Sequence, residues 1–425
     1  MSSISRRNFI GASTTAAVGT ALTAVAATAE EKKVSENDKL NIALIGCGGM
    51  GGGDLRDHLK TGETNCVAVC DVDDSHANEK ANQVEEHSGK RPDIYKDFRK
   101  VLDRDDIDTV IVATPDHWHA LIAISACQAG KDVYCEKPLA TSIHEGRVMV
   151  DAAEKYGRIV QIGTQQRSAE HYGDAIDFVK SGKLGKIRLI KAWAYLDWKG
   201  ELPPKPDSDP PEGVDYDFWL GPAPKRPFNE NRFHFNFRWY WDYSGGIATD
   251  LFIHRITRLI KALELEEPDY GMGYGDIYLW DDGRDIPDNY QMALKYPNKG
   301  PMIYVLGTMS NKYGLMHCIR GDKATLVFEE PGFKIYTEDN ANEGNKEYGK
   351  CIETYERKLT GGDDAFYQGN HINHHAAIRS GSTKDLNCPV TLGHYAVAAV
   401  NVANEGYRAN KLMKWDQASQ TIKPA

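Results

Sequence analysis

The stretch Leu40-Asn41-Ile42-Ala43-Leu44-Ile45-Gly46-Cys47-Gly48-Gly49-Met50-Gly51 decides the fold. Its first six residues are apolar and partly β-branched, which reads as a buried strand. The G-x-G-x-x-G that follows opens a helical pattern to about residue 60. A second apolar run, Cys66-Val67-Ala68-Val69-Cys70, ends at Asp71, 20 residues after Gly51. The glycine motif alone is weak evidence. Strand, glycine turn, helix, strand and acid in this order form a dinucleotide-binding fingerprint. Gly46 allows the tight turn, Gly48 lets backbone approach a pyrophosphate, and Gly51 lets helix and strand pack closely. Gly49 and Met50 lie at the helix start, whose free N–H groups face the phosphates. Asp71 would accept hydrogen bonds from the ribose hydroxyls and repel a 2′-phosphate, which favours NAD and makes NADP the lesser candidate.

The alternation continues. Asp108 to Ala113 is a buried strand, followed by the loop Thr114-Pro115-Asp116-His117-Trp118-His119 and a helix over about 120–129. Asp132 to Cys135 is the next strand and leads into Glu136-Lys137-Pro138. A helix from Ile143 to Tyr156 and a strand from Ile159 to Ile162 follow. Strands alternating with helices predict an α/β, doubly wound parallel Rossmann sheet. Ligands bind at the carboxyl edge of such sheets, which makes Thr114, Pro115, Asp116, His119, Glu136 and Lys137 cofactor-side residues.

The whole chain has 425 residues, which suggests two domains. Its formal charge of −10 disfavours nucleic acid and anionic membrane surfaces as partners. No apolar run of spanning length occurs after residue 30, so no membrane insertion is expected once the leader is gone. The leader, residues 1–29, has Arg6-Arg7-Asn8-Phe9-Ile10, a weakly apolar Ala/Thr/Gly run and a closing Ala27-Thr28-Ala29. These are the parts of a cleavable export signal, and the paired arginines resemble a twin-arginine signal that directs a folded protein to the periplasm. Cys47, Cys66, Cys70, Cys127 and Cys135 fall in strands, a helix or the glycine loop and read as small buried hydrophobes.

On Gly46 to Gly51, Ala113-Thr114-Pro115, Glu136-Lys137-Pro138 and Asp250-Leu251-Phe252-Ile253-His254 after Ser244-Gly245-Gly246, the chain resembles the Gfo/Idh/MocA oxidoreductases, the group of glucose–fructose oxidoreductase and inositol dehydrogenase. The resemblance runs from about residue 40 to about 410. It implies a C-terminal α+β domain with a large, mostly antiparallel sheet that supports a homodimer or homotetramer. The domains are then 30–163 for NAD binding and 164–425 for substrate binding and oligomerisation, with C-terminal helices able to pack back on the first. Runs from Lys186 to Trp193, Tyr270 to Trp280, Tyr290 to Tyr296, Met302 to Met309 and Thr325 to Glu329 read as its strands. Arg167 to Lys180, about 364–380 and about 391–410 read as helices.

Hydride transfer from an alcohol needs a base within reach of the hydroxyl. Asp250 and His254 stand i and i+4 on a helix expected over about 246–262, so both face one way. A carboxylate beside an imidazole orients it and stabilises its charged form, making His254 a general-base candidate. The resemblance places Lys137 near the nicotinamide, where it would orient the hydroxyl, stabilise developing alkoxide or share the base role, and it implies a cis Lys137–Pro138 bond. From Trp193 to Tyr243, 14 of 51 residues are aromatic against 10% overall, so this excursion is built rather than loose and aromatic faces there suit sugar rings. Trp198, Arg238 and Tyr243 within it, with Gln165 and Arg167 after the last Rossmann strand, are candidate substrate binders. His117/His119 and the late His371, His374 and His375 lack a recognised metal spacing, so no metal is expected and the late group reads as surface or helix-start histidine. The leading expectation is an NAD(P)-dependent oxidoreductase acting on a CH–OH of a sugar, glycoside or polyol with tightly bound nicotinamide. The alternatives are an NAD-dependent glycoside hydrolase working by transient oxidation, elimination, water addition and re-reduction, and a non-catalytic sugar-binding protein.

Overall fold

The computed structural model describes residues 35–195, 200–298, 300–308, 317–329, 332–338, 349–356 and 362–425. The leader and Trp198 lie outside the described residues. The first half runs β1 Leu40–Ile45, α1 Gly49–Lys60, β2 Thr64–Cys70, α2 Asp74–Ser88, β3 Asp93–Tyr95, α3 Phe98–Leu102, β4 Thr109–Val112, α4 Asp116–Gln128, β5 Asp132–Glu136, α5 Ile143–Tyr156 and β6 Val160–Gly163. Its six strands pair in the order β3-β2-β1-β4-β5-β6, all parallel. That is the doubly wound order whose direction reverses between β1 and β4, where a crevice opens at the carboxyl edge. Ile42, Leu44, Val110, Ile111, Val112 and Val133 are fully buried because helices cover both faces. The five early cysteines are buried too, as expected.

The second half runs α6 Glu170–Lys180, β7 Leu189–Tyr195, α7 Tyr216–Leu220, α8 Ile253–Leu263, β8 Tyr270–Asp276, β9 Asn289–Lys295, β10 Met302–Thr308, β11 Cys318–Arg320, β12 Ala324–Glu329, β13 Gly332–Thr337, β14 Cys351–Glu356, α9 Gly362–Ser380, α10 Val390–Ala409, β15 Met413–Asp416 and β16 Thr421–Pro424. Among the described residues ten strands form one sheet in the order β14-β13-β12-β11-β7-β10-β9-β8-β15-β16, antiparallel wherever two strands meet except β7 with β10. One face is packed and one is open: in β10, Ile303 and Val305 are fully buried while Met302 and Tyr304 are 40% and 36% exposed.

Three sequence expectations change. The helix expected from Arg167 splits into a 3-10 turn, Gln165–Ser168, and α6. The helix expected from about 246 opens with a π turn, Ala248–Phe252, before α8. His371, His374 and His375 are not surface residues but fully buried in α9. They face α1, where His58 Nδ1 meets His375 Nε2 at 2.8 Å and Glu63 holds both His375 and Arg379. Burial pushes the His371 imidazole down to about 3, so it packs there uncharged. The sheet changes near residue 163, and residues Val34–Ala425 cluster as one compact unit. The C-terminal segment packs back on the first sheet, with the Ile162 N–H donating to the Cys388 carbonyl at 2.9 Å and Gln161 Nε2 to Asn370 Oδ1 at 2.6 Å. No described helix is long and apolar enough to cross a membrane.

Candidate active site

A cavity of about 570 Å³ follows the carboxyl edge of the parallel sheet. At one end lies the glycine turn. Gly46 has φ +95°, and a Cβ on it would stand 2.5 Å from the Ala113 carbonyl carbon. A Cβ on Gly51 would stand 2.0 Å from the Gly46 oxygen. In front of Gly48 and Gly49 there is only open space. Helix α1 starts at Gly49 with no side chain capping it, so its first N–H groups point into the cavity unclaimed by a cap. Asp71 Oδ2 accepts from the Cys47 N–H at 2.6 Å and Oδ1 from the Asp73 N–H at 2.9 Å. The acid therefore shapes the turn as well as facing the cavity. A turn that no side chain fills, with free N–H groups and a ribose-level acid, fits a dinucleotide.

At the other end Lys137 leaves β5 through a cis Lys137–Pro138 bond. Its Nζ donates to Asp250 Oδ1 at 2.7 Å and to the Asp250 carbonyl at 3.2 Å. Arg238 Nε reaches the same Oδ1 at 3.4 Å, its guanidinium held over the Phe235 and Phe237 rings at 4.7 and 4.6 Å. Burial alone would raise the Asp250 carboxyl, but Lys137 and Arg238 outweigh it and hold the group at about 2. His119 ties the two loops together, its ring nitrogens facing the Pro138 and Thr114 carbonyls at 2.7 and 2.8 Å. Asp116 accepts from Ser244 Oγ at 2.6 Å, and burial raises its carboxyl. Thr114 and Pro115 line the wall between.

Glu136 is 3% exposed and accepts from Gln165 Nε2 at 3.1 Å. Burial lifts its carboxyl to about 7, against the pull of Lys137. A carboxyl raised on folding stabilises the fold in its neutral form: that contribution is complete below about 4.5 and is lost as pH rises through about 7. Glu136→Gln is therefore expected to flatten the pH dependence of the thermal midpoint of the nicotinamide-free protein in that window. Equal slopes for both proteins would contradict this.

The structure corrects several expected roles. His254 is not oriented by Asp250, whose Oδ1 goes to Lys137 and Arg238, and His254 Nδ1 has no hydrogen-bond partner. The π turn carrying Asp250 breaks the α-helical spacing that would align the two residues. Burial, then Lys137, Arg255 and Arg167, push the His254 imidazole well below its ordinary range, so it stands neutral. Arg167 is 4% exposed and lies over the Tyr172 ring at 5.4 Å, outside the cavity wall. The 3-10 turn that follows β6 swings it inward. Gln165 serves Glu136 instead of the cavity surface. Tyr243 is fully buried against Trp219, at 5.0 Å between ring centroids, and acts as core. Of the substrate candidates among the described residues, Arg238 alone lines the cavity.

The aromatic excursion reaches farther than expected, over the nucleotide end. The Asp215 N–H donates to the Val72 carbonyl at 2.9 Å, and Trp118 Nε1 donates to the Trp219 carbonyl at 2.9 Å. Phe98, Trp118 and Phe218 form an aromatic wall with ring centroids 5.4 to 6.2 Å apart. His76, Lys96 and His234 also line this end, and sequence reasoning missed them. The aromatic density of the excursion was the available signal.

A parallel sheet of this order, a glycine turn with its acid, and a Lys–Asp pair across one cavity define a dinucleotide-dependent oxidoreductase site. Residues 40–164 match the family model described as "Oxidoreductase family, NAD-binding Rossmann fold", and residues 178–266 match the one described as "Oxidoreductase family, C-terminal alpha/beta domain". The chain belongs to the Gfo/Idh/MocA oxidoreductase family, whose N-terminal domain binds NAD. It is 31% identical over 160 residues to an inositol 2-dehydrogenase of Rubrobacter xylanophilus, covering 37% of this chain and 44% of that protein. It is 34% identical over 105 residues to a levoglucosan dehydrogenase of Pseudarthrobacter phenanthrenivorans, covering 25% and 27%. It is 33% identical over 172 residues to a glycosyl hydrolase family 109 protein of Shewanella sp. strain ANA-3, covering 36% and 38%. These matches span under half the length of those relatives. A levoglucosan dehydrogenase in complex with NADH and levoglucosan superposes with a TM-score of 0.66 at 19% identity, over 89% of this chain and 100% of that one, a likeness of fold.

Proposed function

We propose that the protein is an NAD-dependent oxidoreductase that acts on a CH–OH of a sugar, glycoside or polyol. The observation that carries this reading is the Lys137–Asp250 pair facing the same cavity as the glycine turn. With its pyrophosphate along the glycine turn and its adenosine ribose at Asp71, NAD would present the nicotinamide beside Lys137 as the hydride acceptor. Asp250, kept anionic, fixes the Lys137 ammonium through its carboxylate and its carbonyl and leaves one N–H for the alcohol oxygen, where a cation stabilises developing negative charge. Arg238 supports the same carboxylate and offers the cavity its remaining N–H groups. His254, held neutral behind the cavity lining, keeps a lone pair that would take the hydroxyl proton through one bridging water. The excursion reaches over the nucleotide end, which supports a firmly held cofactor.

A second reading, redox-neutral glycoside hydrolysis, is favoured by the matches to glycosyl hydrolase family 109 proteins. One experiment separates the two. The purified protein is incubated with p-nitrophenyl glycosides and with free sugars, with and without added NAD. Oxidation predicts NADH in proportion to sugar consumed. Nitrophenol release without net NADH would replace this reading by the second.

The paired arginines and the small-x-small end of the leader support export by the twin-arginine route to the periplasm. The open sheet face with Met302, Tyr304 and Tyr274 exposed supports a homodimer or homotetramer built across it.

A further inference from the structure

The rim of the cavity beside Asp71 carries three side chains that the chemistry above does not use. Asp73 caps α2, His76 lies in the first turn of that helix, and His234 arrives from the excursion, 161 residues after Asp73. One ligand atom from each lies within 4.8 Å of the other two, and among the described residues this is the one such group of three or more. Asp73 Oδ1 is taken by the Ser75 N–H at 2.8 Å and Ser75 Oγ at 2.6 Å. Its Oδ2 turns to the cluster, 2.9 Å from His234 Nε2. The His76 and His234 rings stand 4.3 Å apart between centroids, tilted by 35°. Among the described residues His76 has this ring contact and no hydrogen bond.

His234 also has a left-handed backbone, φ +46°, which a residue with a Cβ adopts only where its surroundings hold it. That conformation brings its ring back onto α2. Two imidazoles and one carboxylate are a ligand set for zinc and its first-row neighbours. Bond lengths of about 2.0–2.2 Å would place tetrahedral ligand atoms roughly 3.3 Å apart, a small closure from the present spacing. Since His76 and His234 both line the cavity, a position left open by three protein ligands faces it. Lys96, on the same rim, is paired with Asp74 at 2.9 Å.

We propose that Asp73, His76 and His234 bind one divalent transition-metal ion, zinc in the first place, which clasps the excursion onto the nucleotide-binding domain at the cavity rim. The pattern escapes sequence reading because its third ligand comes from a distant segment. The test uses the full chain, stripped with a chelator and free of nicotinamide, so its outcome does not depend on the oxidoreductase reading. Zn²⁺ and Co²⁺ are titrated by calorimetry, and Co²⁺ is also followed by its visible absorption. One equivalent is expected to bind, with the intense cobalt bands of a tetrahedral site. His76→Ala and His234→Ala should each weaken binding by at least about 100-fold. Asp73→Asn should do the same while keeping the α2 cap, since Asn caps as well as Asp. Circular dichroism and thermal midpoints of the metal-free variants matching the wild type establish that they fold. Binding should also slow proteolysis within residues 200–243. Failure of the wild type to bind, or equal binding by all three variants, overturns the proposal. A loss of nicotinamide affinity in His234→Ala without metal binding by the wild type would overturn it as well, leaving His234 a hydrogen-bonded latch.

Discussion

Lys137→Met is expected to lower single-turnover oxidation by roughly 10²–10⁴-fold, the range of a lost acid–base or charge-stabilising group. The substitution keeps a long unbranched side chain and removes the cation. Two consequences follow from the geometry. The alcohol oxygen loses its positive partner, and Asp250, with a side chain 4% exposed, loses its 2.7 Å ion pair. Removing one partner of a buried pair costs roughly 3–5 kcal/mol. Arg238 remains 3.4 Å from the same oxygen, which places the expected destabilisation at the lower end, about 3 kcal/mol. Denaturant melts measure that loss. Affinity for ADP-ribose, read by calorimetry, should stay unchanged because the glycine turn and Asp71 are untouched. A variant that turns over like the wild type would remove Lys137 from the chemistry.

Gly51→Ala is the second large effect. The added Cβ would stand 2.0 Å from the Gly46 oxygen and 3.2 Å from the Ala113 Cβ. The closer obstacle is backbone, so the turn or the helix start must move. Overpacking of this kind costs about 1–3 kcal/mol. The displaced turn should weaken NAD binding by roughly 100-fold, equivalent to about 2.7 kcal/mol. Gly53→Ala is the control on the same helix, since its Cβ meets only the Arg56 guanidinium, at 3.9 Å. There the gain in helix propensity should stabilise the protein by about 0.5–1 kcal/mol and leave NAD affinity alone. Calorimetric titration of both variants separates them. Equal affinities would show that the turn does not seat the nucleotide.

The nucleotide end of the site was legible because its logic is local. A strand, a turn that only glycine fits and an acid at the next strand end are coupled by one βαβ unit, and Gly46, Gly51 and Asp71 stand where that coupling puts them. The catalytic end joins segments 113 residues apart; the resemblance names Lys137 and Asp250 separately, and only the fold brings them into contact. His254 was read as Asp250's partner because i, i+4 spacing assumes an unbroken α-helix. A π turn and two competing cations decide otherwise. Gln165 and Arg167 follow β6 at the ligand edge, yet the chain turns inward and spends them on Glu136 and Tyr172. β11, β14, β15 and β16 escape sequence reading because they are short, or polar and on the sheet margin, where burial imposes little alternation. The late histidines were misread for a related reason. Composition marks histidine as polar, while uncharged imidazoles pack well against one another and against Tyr134.

The central claim is that one cavity holds NAD against the Lys137–Asp250 pair for hydride transfer from a sugar-type alcohol. Single-turnover mixing of the protein with NAD and a panel of cyclic polyols and glycosides, followed by the near-ultraviolet absorbance of reduced nicotinamide, tests it most directly. NADH is expected to form up to one equivalent per site with at least one substrate in the wild type, and not on that timescale in Lys137→Met. No nicotinamide binding by the wild type, or the same NADH formation in both proteins, would contradict it.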